Sequence, residues 1–145
     1  MRLRRGEPED VAPIARMMRS TYDRMTYIPR LHTPEEDLAY ITGLFADHEV
    51  WVANGDDGVL GFAVLSADQL LQLHVKPEEQ NKGIGGLLLA RAKERRPEGF
   101  SLWVFQQNEG ARRFYERHGL ELVKLTDGSG NEEREPDAQY AWRPF

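Results

Sequence analysis

The chain has no cysteine. Disulfides, thiolate-bound metals and a thiol nucleophile are therefore excluded, and a reducing cytoplasm is the expected compartment. No apolar run approaches the ~20 residues that span a bilayer. The opening Met1-Arg2-Leu3-Arg4-Arg5-Gly6-Glu7 turns acidic without an apolar core, so no signal peptide is expected. An excess of basic charge is also missing: 19 Lys and Arg stand against 24 Asp and Glu, a net charge of −5. That balance argues against nucleic acid or an anionic membrane as the main partner. No internal repeat is evident, and no metal is expected.

What is present is an ordinary globular composition, 40% hydrophobic and 30% charged over 145 residues. One domain covering 1–145, with a core of its own, is the expected organisation. Residues 2–5 read as a short strand. Pro8 and Asp10 open a helix whose apolar set is Val11, Ile14, Ala15, Met17 and Met18. Thr33-Pro34-Glu35-Glu36 starts a second helix, with Thr33 as cap, Pro34 at its first position and Glu36 completing a capping box. Strands follow over 49–53, 59–65 and 69–76. Asn54 to Gly58 makes a hairpin turn, and Ala67-Asp68 a second tight link. A helix over about 83–95 ends before Pro97. A strand over 100–105, a helix over 108–118 and a strand over 120–125 come next. An acidic, Gly-containing loop leads to a last strand over 139–142.

Gln80-Asn81-Lys82-Gly83-Ile84-Gly85-Gly86 links an apolar strand to a helix N-terminus. Backbone N–H groups and the positive end of the helix dipole meet there, and glycine lets an anion approach closely. Lys82 adds a mobile cation. A tight connection without a ligand is the other reading. Neither common nucleotide motif fits. A P-loop requires Lys-Ser/Thr after its second glycine, and Gly85 is followed by Gly86 and Leu87. A dinucleotide fingerprint needs a third glycine where Leu88 stands.

The second motif is Asn108-Glu109-Gly110-Ala111-Arg112-Arg113-Phe114-Tyr115-Glu116-Arg117-His118-Gly119. Asn108 caps a helix, Glu109 suits its positive end, and Gly119 terminates it. Ala111, Phe114, Tyr115 and His118 fall on one face. Their bland reading is a set of core aromatics.

Gln-x-x-Gly-x-Gly after a strand, followed one helix and one strand later by Asn-x-x-Ala-x-x-Phe-Tyr-x-x-x-Gly, resembles the acetyl-CoA motifs of the GNAT (GCN5-related) N-acetyltransferase superfamily. The resemblance extends over essentially the whole chain. It implies an α/β fold with a mixed sheet, ordered β-α-α-β-β-β-α-β-α-β-β, whose central parallel strands splay apart. It implies transfer of an acetyl group from acetyl-CoA to a primary amine, small-molecule or peptide, by direct attack. A sensor or regulatory module that binds acyl-CoA without turnover is the alternative.

By the same resemblance, Val75, Gln80, Asn81, Lys82, Gly83, Ile84, Gly85 and Gly86 would face the cofactor, with Val75 polarising the thioester carbonyl. Asn108, Ala111, Phe114 and Tyr115 would flank it, and Tyr115 would be the general acid. For the base, His74 and Asp68 are the named candidates, against a structural role for His74 and a turn role for Asp68. Tyr22, Arg24, Tyr27 and His32, between the first two helices, would face the acceptor. Arg112 and Arg113 would reach solvent or the 3′-phosphate region and are given no role. A homodimer is left open, with Trp142 and Phe145 either serving such an interface or simply packing.

Overall fold

The computed structural model describes residues 1–144. Seven strands and four α-helices follow the expected order: β1 (Arg2–Arg5), α1 (Val11–Asp23), α2 (Pro34–Asp47), β2 (Glu49–Gly55), β3 (Gly58–Leu65), β4 (Leu70–Val75), α3 (Ile84–Arg95), β5 (Phe100–Phe105), α4 (Glu109–Arg117), β6 (Glu121–Leu125) and β7 (Asp137–Trp142). Short 3₁₀ turns at Pro8–Asp10 and Pro77–Glu79 precede α1 and the Gly-rich loop. The last strand begins at Asp137, two residues before the sequence pattern alternates, because β7 is central and pairs along its full length with β5.

The strands form two antiparallel sheets, β1-β2-β3-β4 and β5-β7-β6. β4 and β5 run parallel where the sheets meet, yet a single bridge joins them, Gln69 to Ser101, beside a hydrogen bond from Ser101 N to Asp68 O of 3.0 Å. Beyond this point the two edges separate, and backbone groups of β4 are left facing an opening.

Buried side chains sit on both faces of the first sheet, as expected of a covered sheet. Phe62 and Val64 of β3 join Ile14, Met18 and Ile41 under α1 and α2. Ala63 and Leu65, one residue out of phase, join Leu88, Leu89 and Tyr140 under α3. This alternation fixes the register, since a one-residue slip would exchange the two cores. The α2 capping box forms as read, with Glu36 N donating to Thr33 Oγ1 at 3.2 Å and Thr33 N to Glu36 Oε1 at 2.8 Å.

Some side chains differ from the sequence reading. Arg112 does not run out to solvent: its Nε donates to the Tyr140 hydroxyl at 3.1 Å. Trp142 packs, as one of its two readings had it: it is half-buried, its ring 5.8 Å from Phe100. Phe145, named beside it for an interface, lies outside the described residues.

Candidate active site

The opening between β4 and β5 is a cleft of about 920 Å³. Its walls are β4, the Gly-rich loop, β5 and α4. Lys76 N donates to Leu60 O of β3 at 2.8 Å. Successive strand N–H groups point to opposite edges, so the Val75 N–H points away from β3 into the cleft.

At one end lie the N–H groups of Asn81, Lys82, Gly83, Ile84, Gly85 and Gly86. None has a protein acceptor among the described residues. Three belong to the first turn of α3, which has no intrahelical partner for them. Asn81 and Gly83 adopt positive φ, 65° and 87°, and this turns consecutive N–H groups outward. Gly83 is the helix N-cap. A Cβ at Gly85 would lie 3.3 Å from Phe114 Cζ, and one at Gly86 would lie 3.2 Å from His118 Nε2. Glycine therefore lets α3 lie against α4 and leaves the cradle unfilled. Ile84 contributes only its backbone, because its side chain is buried in the core. Lys82, read as a mobile cation, is paired with Glu79 at 2.8 Å, and both side chains are partly or fully exposed. Arg113 and Arg117, to which the sequence reading gave no role, line the same cleft.

On the opposite wall, Asn108 Oδ1 accepts from Ala111 N at 3.2 Å, which starts α4. Phe114 stands edge-on to Tyr115, with ring centroids 5.3 Å apart. The Tyr115 ring is buried, but its hydroxyl takes no hydrogen bond among the described residues and borders the cleft. Burial, with a smaller push from Tyr22, raises its pKa well above the usual phenol range.

His74 lies deeper. It stacks on Phe62 with centroids 5.2 Å apart. Its Nδ1 is 2.6 Å from Thr21 Oγ1, and its Nε2 is 2.6 Å from Gln72 Oε1. Burial pushes its pKa down to about 4, so the ring is neutral at physiological pH. One ring nitrogen then carries the proton; Nε2 faces Gln72 Oε1, and Nδ1 faces the Thr21 hydroxyl, whose oxygen also lies 2.9 Å from Met18 O. Both nitrogens are occupied, which suits a fixed wall group better than a proton acceptor. Asp68 is exposed at the β3–β4 turn, at the closed end of the split and away from the cleft lining. Glu49, at the start of β2, is committed elsewhere. Burial opposes its charge, but hydrogen bonds from Arg95, Trp51 and Arg96 outweigh this and hold its pKa at about 2.

A smaller cavity of about 320 Å³ adjoins the cleft between α1, α2 and the loop before β7. Tyr22 and His32 line it, and Tyr22 borders the cleft as well. Arg24 and Tyr27 fall outside this cavity: Arg24 is exposed at the end of α1, and Tyr27 packs edge-on against Phe105 at 6.1 Å. The sequence reading missed Gln72 and Glu133, which line both spaces. Gln72 was legible only as a polar residue in an alternating strand. Glu133 was one acid among several in an irregular loop.

Among the described residues no cluster of His, Asp and Glu is placed to hold a metal. No described helix is long and apolar enough to cross a membrane.

A family model for the acetyltransferase (GNAT) domain matches residues 46–121. Peptidyl-lysine N-acetyltransferase YjaB of Escherichia coli (strain K12) is 30% identical over 124 residues, 84% of this chain and 81% of that protein. The solution structure of apo YjaB superposes with a TM-score of 0.73 at 23% identity, covering 97% of this chain and 96% of the other. The YncA structure from Salmonella typhimurium, solved with its cofactor acetyl-CoA, gives a TM-score of 0.79 at 18% identity, with 99% and 93% covered. Likeness at these structural identities speaks to the fold, and the sequence matches carry the family. The chain belongs to the GNAT acetyltransferase family.

Proposed function

We propose that residues 1–145 act as one acetyltransferase domain in the cytoplasm, moving the acetyl group of acetyl-CoA to a primary amine. The observation that carries this reading is the split between β4 and β5. It is bounded at one end by six N–H groups and along its side by a Tyr115 hydroxyl, none with a hydrogen-bond partner among the described residues. The donor set fits a pyrophosphate, the open β4 edge fits an extended amide arm that pairs like an added strand, and no metal is required. Val75, Gln80, Asn81, Lys82, Gly83, Ile84, Gly85 and Gly86 supply that surface, with Asn108, Ala111 and Phe114 opposite.

When bound, acetyl-CoA supplies a thioester open to nucleophilic attack. The Val75 N–H is placed to stabilise charge developing on the carbonyl oxygen, an effect worth about 3 kcal/mol per donor. As the C–N bond forms and the C–S bond breaks, the Tyr115 hydroxyl gives its proton to the departing sulfur. The surplus proton of the amine leaves to solvent, and one returns to Tyr115. The high pKa of Tyr115 keeps it protonated before attack, and the same dry surroundings raise the basicity of the thiolate it serves.

The acceptor enters from the smaller cavity, where Tyr22 and His32 stand. The name of the YjaB relative supports a peptide lysine as the amine. The test is a thermal-shift titration with acetyl-CoA, using ATP and NAD as controls, then a screen of amines for release of CoA thiol. The cysteine-free chain contributes no background to that screen. At about a hundred times Kd, binding stabilises by ~2.7 kcal/mol. A shift with acetyl-CoA alone and thiol release with an amine are expected. A shift with a nucleotide and none with acetyl-CoA would overturn the reading.

A further inference from the structure

The cleft and the smaller cavity meet at three residues that line both: Tyr22, Gln72 and Glu133. An acceptor that enters from the smaller cavity, as proposed above, reaches the cleft through this junction. Its only formal charge is the Glu133 carboxylate.

The other charges on the cavity wall are already committed. Arg19 Nε lies 2.7 Å from Asp37 Oδ2, and its Nη2 donates to the His32 carbonyl at 2.7 Å. Arg30 is paired with Asp23. His32 Nε2 lies 2.7 Å from Glu132 Oε1. Glu36 is held by the α2 cap. No hydrogen bond or ion pair reaches the half-buried Glu133 carboxylate among the described residues. Among the described residues two wall carboxylates thus lack an ion-pair partner, Glu36 and Glu133; Glu36 is tied to the Thr33 N–H, and Glu133, at the junction, accepts no hydrogen bond. The remaining surface offers Met18, Ile28 and Leu31 to an apolar stem.

The loop that presents Glu133 is held in place. Asn131 Nδ2 donates to Glu135 O at 2.8 Å and to Asp137 Oδ2 at 3.1 Å, and Glu135 N donates to Asn131 Oδ1 at 3.2 Å. Gly128 has φ 85°, and a Cβ there would meet the Glu135 backbone at 2.4 Å. The carboxylate therefore stands on a closed loop. Its field also adds, behind burial, to the causes that raise the Tyr22 phenol to about 12.

We propose that Glu133 is the specificity-determining residue for the acceptor. It receives the ammonium of a primary amine carried on an unbranched apolar stem, such as a lysine side chain, and so selects cationic over anionic acceptors. The assignment rests on the acetyltransferase reading above and adds the residue that would set acceptor charge. Glu133 holds and orients the nitrogen before the proton is lost to solvent. No covalent step passes through it.

The test compares the full-length protein with Glu133→Gln and Glu133→Lys on two peptides at neutral pH. One carries lysine. The other carries an aminooxy analogue of the same side-chain length, which is uncharged. Glu133→Gln is expected to raise KM for the lysine peptide about tenfold or more, with kcat little changed. KM for the aminooxy peptide and the acetyl-CoA Kd should stay as in the unsubstituted protein. Glu133→Lys should lose the lysine peptide and keep the aminooxy one. An unchanged lysine KM in Glu133→Gln, or an equal rise for both peptides, would overturn the assignment while leaving the acetyltransferase reading intact. Absence of acetyl-CoA binding and of thiol release with every amine would instead remove the reading itself, and the assignment with it.

Discussion

Phe114 Cζ lies where a methyl group on Gly85 would come within 3.3 Å of it. These two residues belong to the two sequence motifs, and their near contact makes the motifs one site. The N-terminus of α3 and the flank of α4 are pressed together along the mouth of the cleft.

A side chain at Gly85 therefore acts on the ligand more than on the fold. Gly85→Ala gains helix propensity and displaces only the tip of Phe114, so melting temperature should change little. Gly85→Val should lower acetyl-CoA affinity strongly, because its branches would press on Phe114 and Val75, two residues that line the cleft. Calorimetric titration of both variants checks this.

Gly83 makes the opposite prediction. A Cβ there meets nothing within 4 Å, but φ is 87°. Gly83→Ala should cost about 1–2 kcal/mol through backbone strain alone. Gly83→Asn should recover part of the loss, since asparagine tolerates left-handed φ. Chemical denaturation of the pair separates strain from crowding.

Tyr115→Phe removes a hydroxyl with no hydrogen-bond partner among the described residues. Stability and acetyl-CoA affinity should hold, while kcat falls about 10²-fold or more, the range of a lost general acid. Retained turnover would remove Tyr115 from the proton path. Unaltered acetyl-CoA binding with no turnover in either protein would favour a sensor.

His74 sets a pH dependence of folding. Its native pKa of about 4 lies below the unfolded value of 6.5, so between these values the unfolded chain binds more protons and folding stability falls as pH falls. Above pH 6.5 the group contributes nothing. Over the full window the loss is roughly 3 kcal/mol. Glu49, also depressed, acts lower, its contribution being lost from about 4.5 toward 2. Equilibrium unfolding measured down to pH 4.5 should show a slope that His74→Gln flattens. An unaltered slope would place the titrating group elsewhere.

Much of this protein is local and was readable as such. The α2 capping box, the Asn108 cap, the hairpin at Gly58 and the glycines before α3 follow from turn and cap chemistry within a few residues. The order of elements follows from hydrophobic period, and the two motifs with their spacing identify the family. Even the face of α4 follows from helical spacing, because Ala111, Phe114 and Tyr115 recur at one angle.

The tertiary structure decided what lies near what. Whether His74 would be a base or a buried wall group depended on Phe62, Thr21 and Gln72, which come from three elements and set both its hydration and its hydrogen bonds. The separation of β4 from β5 was expected only through the family resemblance; it comes from pairing that stops after one bridge, which no strand pattern encodes. Glu133 emerged from an acidic loop only when Arg19, Arg30 and His32 were seen to have other partners. Charge at a site is a sum over neighbours, and the chain brings those neighbours together only by folding.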